Sequence, residues 1–146
     1  MCQKYHPEIE WICSNTIPDH FQPSSYDVVT MFHILEHILN PQEIMCKVAK
    51  ILKPDGFLLI EVPNFNSMMR KIKRMNWIFV VDHHVNYFSK KNLKLFIEKF
   101  GFTLVDVEYR RTFAINENQS WKEPLKKFLC YLGFGDILRC LFIKEG

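Results

Sequence analysis

Tyr26-Asp-Val-Val-Thr-Met-Phe32, then Asn40-Pro41-Gln-Glu43, then Leu52-Lys-Pro-Asp-Gly-Phe-Leu-Leu-Ile-Glu-Val-Pro63 decide the fold. The first run is β-branched and almost continuously apolar, the pattern of a strand buried on both faces of a parallel sheet. Asn40 puts a capping side chain before a proline at the first helical position, and Glu43 is placed to close a capping box. Ile44, Val48, Ile51 and Leu52 share one helical face. Lys53-Pro54-Asp55-Gly56 then stops the helix and turns the chain. Phe57 to Val62 reads as a second buried strand. Strand, helix, strand at this spacing predicts a βαβ unit. Its right-handed crossover sets the strands parallel and brings their carboxyl ends, near Phe32 and Val62, to one edge of the sheet. Ligands of open α/β sheets bind at that edge.

Working outward, Ile9 to Cys13 is a short apolar run behind Pro7, and Asn15 to Ser25, with two prolines, reads as a loop. Ser89 caps a helix in which Leu93, Phe96, Ile97 and Phe100 recur at i, i+3, i+4, i+7, and Gly101 supplies its stop. Phe102 to Tyr109 is a further strand. A last helix around Trp121 to Leu132 and a last strand around Ile137 to Ile143 complete the chain, with Gly133-Phe-Gly135 between them as a helix stop. Asn64 to Val85 follows no readable pattern.

With 146 residues, 48% hydrophobic and 24% charged, the composition is that of one globular domain with a core. The formal charge of +3 is too small to announce a nucleic-acid binder. Five scattered cysteines without a C-x-x-C pair argue against a disulfide framework and a structural zinc, and fit a reducing cytoplasm. The greasiest stretch, Phe128 to Ile143, is broken by Asp136 and Arg139, so no membrane span is expected.

Four motifs in order, Tyr26 to His37, Leu52 to Pro63, Asp82-His-His-Val-Asn-Tyr-Phe-Ser89 and Gly101-Phe102, resemble class I S-adenosylmethionine-dependent methyltransferases over roughly Ile9 to Tyr109. The resemblance implies an α/β, Rossmann-like sheet of order 3-2-1-4-5-7-6, mostly parallel with only strand 7 antiparallel. Tyr26 to Phe32 then stands as strand 4, Phe57 to Val62 as strand 5 and Phe102 to Tyr109 as strand 6. The family's opening glycine-rich turn, and the acidic end of its second strand that accepts from the ribose, have no counterpart here; the first glycine is Gly56. The expectation is therefore a single partial domain over 1–146, with strands 3 to 7 retained and strands 1 and 2 absent. Its parts are strand 3 and a loop in 1–25, the βαβ unit in 26–63, an acceptor-side segment in 64–88, a helix and strand 6 in 89–109, and a terminal helix and strand 7 in 110–146. Each charged hydrogen bond lost from the ribose costs about 1.5 to 3 kcal/mol, so the chain by itself should hold S-adenosylmethionine hundreds of times more weakly than a complete relative. An unpaired edge on strand 4 further predicts self-association or a complementing chain.

The resemblance places Asn15, Thr30, Met31, Phe32 and His33 against the cofactor; the bland alternative for Met31 and Phe32 is plain core. His33, His37, His83 and His84, four of the six histidines, fall near the expected cleft, where imidazole suits proton transfer at neutral pH. A divalent metal on Glu36, His37 and His83 is a further reading, from oxygen-directed relatives that carry Glu where His33 stands. The alternative is that Glu36 and His37 only orient the loop after the strand. His33-Ile-Leu-Glu36-His37 also spells H-x-x-E-H, a zinc-peptidase signature that needs a continuous helix through both histidines. Arg70, Lys71, Lys73 and Arg74, with Trp77 behind them, either hold a phosphate, a sugar nucleotide or RNA or form a solvated helix face. Lys122, Lys126 and Lys127 invite the same readings, or a hold on a membrane surface beside Phe128 and Leu129. The acceptor expected is a small molecule or a sugar or lipid precursor. A noncatalytic remnant, or half of a split enzyme, is the alternative to activity.

Overall fold

The computed structural model describes residues 9–10, 12–14, 16–111, 127–128 and 130–146. Asn15, Leu129 and 121–126 of the expected last helix, with Lys122 and Lys126, lie outside them. Four strands form one sheet: β1 (Tyr26–Phe32), β2 (Leu52–Pro63), β3 (Phe102–Arg110) and β4 (Ile137–Lys144), in the order β1-β2-β4-β3. Helices α1 (Pro41–Ile51), α2 (Met68–Lys73) and α3 (Lys90–Glu98), with 3-10 turns at Leu35–His37 and Arg74–Asn76, connect them.

The local signals work as their chemistry demands. Asn40 accepts from the Glu43 amide ahead of Pro41, and Ser89 and Asn92 close a reciprocal capping box on α3. Ile51 of α1 is buried, and Met45 and Val48 of α1 with Leu93 and Ile97 of α3 join Met31, Leu58, Ile60, Leu138, Cys140 and Phe142 in one core. Both helices therefore cover the same face of the sheet. The pairing jumps from Tyr26↔Leu52 to Val28↔Phe57, so residues 53–56 bulge out of the ladder. Gly56 sits where a Cβ would come within 2.9 Å of the Lys53 carbonyl, which explains a glycine at the end of that bulge. At Gly135 a Cβ would lie 2.6 Å from the Arg110 carbonyl. Close backbone approach, rather than a helix stop, requires that second glycine; Gly133, at φ +84, is the one with stop geometry.

Three expectations are corrected. β4 runs antiparallel to both neighbours, so two of the three pairings are antiparallel and only β1 with β2 is parallel. The sheet is mixed rather than mostly parallel, because the reversed strand is inserted between β2 and β3. No strand forms among the described residues of 9–25, where strand 3 was expected. Pro18 and Pro23 have no amide hydrogen to give to a ladder, and the run meets the sheet through side chains instead, Phe21 lying against Tyr26 of β1 and Ile17 against the core. Finally, β1 is not buried on both faces: of its residues only Met31 is buried, while Val28 and Phe32 are about half exposed at 53% and 45%. Its outer edge is unpaired among the described residues, and α1 and α3 cover one face only.

Among the described residues, no helix is long and apolar enough to cross a membrane. Burial on the core face pushes the Cys140 thiol up to about 12, whereas Cys13 and Cys46 are exposed. At pH 8 only about one Cys140 in ten thousand is thiolate. In native protein Ellman's reagent should modify Cys13 and Cys46 quickly and Cys140 only after denaturation; fast native labelling of Cys140 would contradict the packing of β4.

Candidate functional site

The carboxyl ends of β1 and β2 share one edge, and the chemistry gathers there. β1 ends at Phe32, and His33 follows with φ 52, a left-handed conformation that costs a non-glycine residue about 1 to 3 kcal/mol. That turn aims the imidazole between two carboxylates. Nδ1 lies 3.2 Å from Glu36 Oε1 and Nε2 lies 3.3 Å from Glu61 Oε1. Glu61, buried on β2, is held in turn by Arg139, whose Nε and Nη2 donate to Oε2 at 2.8 and 2.7 Å, and by Arg110 Nη1 at 3.4 Å. Glu36 is fully enclosed, and among the described residues its Oε2 has no hydrogen-bond partner.

A second group lies beside the first. The 82–88 segment is stitched to the turn after β1: the Val85 and Asn86 amides donate to the Glu36 carbonyl, and Asn86 Nδ2 donates to the Ile38 carbonyl at 2.6 Å. This brings His37, His83 and His84 together, with one nitrogen from each within 4.8 Å of the others. His37 Nδ1–H donates to the His83 carbonyl at 3.0 Å and His84 Nδ1–H to the Phe79 carbonyl at 2.8 Å. Each bond fixes a tautomer whose Nε2 keeps its lone pair. Burial holds the His84 imidazole below the usual histidine range, against a partial pull upward from its bond to Phe79 and from Glu36. Phe79 joins the two groups, stacked on His33 and on His84 at 6.3 Å each.

Of the residues expected against the cofactor, Thr30 and Phe32 are exposed, His33 is half-buried and Met31 lies in the core. Asn15 lies outside the described residues. The zinc-peptidase reading loses its geometry: the helical residues are Leu35–His37 only, as one 3-10 turn, and His33 stands outside them in a left-handed conformation. Sequence reasoning missed Glu61, Arg139, Arg110 and Phe79. A lone carboxylate inside Phe57-Leu-Leu-Ile-Glu61-Val62 was the available signal, since a charge in a buried strand is rarely left unpaired. Nothing local marks the arginines, which arrive from β3 and β4.

Residues 3–107 match the family model described as a methyltransferase domain. The ubiquinone biosynthesis O-methyltransferase of Idiomarina loihiensis is 35% identical over 78 residues, which is 53% of this chain and 30% of that enzyme. The chain thus spans less than a third of the length of the curated relatives it matches. A SAM-dependent methyltransferase from Archaeoglobus fulgidus superposes with a TM-score of 0.59 at 19% identity, over 85% of this chain and 62% of that one. The [4+2]-cyclase SpnF does so at 0.65 and 12% identity, over 99% and 60%. At such identities the superpositions speak for the fold alone, and a cyclase among them keeps fold separate from reaction. A methyltransferase-domain match over most of the chain, on a mixed sheet of the same fold, decides the membership: the protein belongs to the methyltransferase domain family.

Proposed function

We propose that this chain forms the acceptor side of a methyl-transfer site, where a small hydroxyl-bearing molecule, such as a phenolic quinone precursor, is held for methylation from S-adenosylmethionine. The observation that carries the reading is the convergence of His37 and His84, each with a free Nε2, on the sheet edge where β1 and β2 end. The strand order β1-β2-β4-β3 supports it, being the order that the resemblance gives to strands 4, 5, 7 and 6. The matched O-methyltransferase supports oxygen as the accepting atom.

The fit to the cofactor is incomplete. Thr30, Phe32 and His33 offer one wall, but among the described residues no glycine-rich turn and no carboxylate free for a ribose stands beside it; Glu36 and Glu61 are both turned toward His33. The outer edge of β1, unpaired among the described residues, supports pairing with a second copy or a complementing chain. What these residues do to the acceptor follows from their own chemistry. His84, whose protonated form burial disfavours, can accept a hydroxyl proton at Nε2. His33 has both ring nitrogens against carboxylates and is a positioning residue that fixes the turn carrying Glu36 and His37. A divalent cation is the second reading: three nitrogens within 4.8 Å and the unpartnered Glu36 Oε2 favour His37, His83 and His84 as its ligands, polarising the acceptor oxygen.

Catechol added to the protein should shift the imidazole NMR signals of His37 and His84 and leave His20 unmoved; no shift at either would overturn the reading. The His84 signal should titrate below a free histidine. Its neutral form contributes stability that is present above the ordinary histidine range and lost as pH falls through the lowered value. S-adenosylmethionine should bind the 146-residue chain with a Kd of roughly 1 mM or weaker, and micromolar affinity by calorimetry would refute the incomplete fit. His33→Ala should cost about 1 to 3 kcal/mol in urea unfolding, because it strips a partner from two buried carboxylates. An unchanged midpoint would remove His33 from the network.

A further inference from the structure

The segment between Ser67 and Trp77 is pinned at its ends and buries nothing between them. Ser67 is fully buried, its amide donating to the Asn64 carbonyl at 2.9 Å. Trp77 is 2% exposed, and its Nε1 donates to Asp136 Oδ1 at 3.3 Å. Neither α2 nor the turn Arg74–Asn76 contains a buried residue. Ile72 and Met75 are 64% and 78% exposed, and Met68, Met69 and Ile78 are exposed with them.

Arg70, Lys71, Lys73 and Arg74 lie among these apolar side chains, and from Phe65 to Val81 the sequence has no Asp or Glu. Among the described residues none of the four pairs with a carboxylate; Arg70 lies over the Phe65 ring and Lys71 over Phe134. The surface continues onto the carboxyl-terminal part of the chain. The Met68 amide donates to the Phe134 carbonyl at 3.2 Å, and Phe134 is exposed together with Phe128, Tyr131 and Leu132.

We propose that this surface docks on an anionic phospholipid bilayer. A purely solvated basic helix has no reason to expose a cluster of aliphatic side chains, and clusters of that kind mark interaction surfaces. RNA binding couples the cations to aromatic faces for bases to stack on, whereas the segment that carries the four cations exposes methionine and isoleucine; the exposed rings of Phe128, Tyr131 and Phe134 lie on the neighbouring carboxyl-terminal part, and amphipathic rings of that kind also suit a bilayer interface. Aliphatic side chains entering the headgroup layer, with lysine and arginine stems reaching back to the phosphates, satisfy both halves of the surface at once. None of these side chains belongs to the His33 or His84 groups, so the docking stands or falls apart from methyl transfer.

Flotation of the 146-residue chain with vesicles tests it. Vesicles of phosphatidylcholine with roughly one third phosphatidylglycerol should carry the protein, and phosphatidylcholine alone should not. Lys71→Gln with Lys73→Gln should weaken that binding roughly thirtyfold at low salt, and Ile72→Ser with Met75→Ser at least roughly tenfold. All four positions are exposed, so the variants should keep the parent circular dichroism. Absence of binding, equal binding to both lipids, or full binding by the serine variant would each overturn the proposal. The last would leave a phosphate or RNA surface instead.

Discussion

A single buried carboxylate organises the edge of the sheet. Phe32, Glu61, Arg139 and Glu108 are successive ladder partners across all four strands, and one residue back the row reads Met31, Ile60, Cys140, Val107. The pleat sends these rows to opposite faces. The apolar row meets α1 and α3, and the polar row lies on the other face, where Arg139 bridges Glu61 and Glu108 and lies over Phe32. Glu61 is compatible with its burial only because two arginines and an imidazole surround it. Loss of a partner from such a group typically costs about 3 to 5 kcal/mol. β3 and β4, remote in sequence from β1, thus set where His33 points.

That dependence explains what the sequence could tell. Periodicity, the Asn40 and Ser89 caps and the breaker residues 53–56 are local, so α1, α3 and the four strands were legible within a few residues. The burial of β1 was not, because an apolar run records what a strand can bury and not whether a neighbour is there to bury it. Leu52 continues the helical spacing of Ile44, Val48 and Ile51 in the sequence and is instead the first strand residue, buried beneath the bulge that follows it.

Within the site, the histidines were legible as a cluster of type and the carboxylate network was not. His37 meets His83 and His84 only because Asn86 clamps the segment to the turn after β1, a contact spanning 48 positions with no local signature. The segment from Asn64 to Val85 resisted reading for a related reason. Its order comes from long-range polar anchors, with Asn64 donating to the Gly135 carbonyl and Trp77 to Asp136, while the side chains between carry no periodic burial.

Two costs fall within one turn of chain: the left-handed backbone of His33 and the unpartnered, buried oxygen of Glu36. Each is of the order of about 1 to 3 kcal/mol, a large fraction of a domain's net stability. A turn that served only to connect β1 to α1 could shed both, with glycine at the first position and an uncharged residue at the second. Their coincidence at the sheet edge, beside three imidazoles with one nitrogen of each within 4.8 Å of the others, is what an arrangement kept for binding looks like. The core supplies the rigidity that holds it there: Met31 immediately before the turn and Leu35 within it are both buried, so the strained residues are clamped from either side.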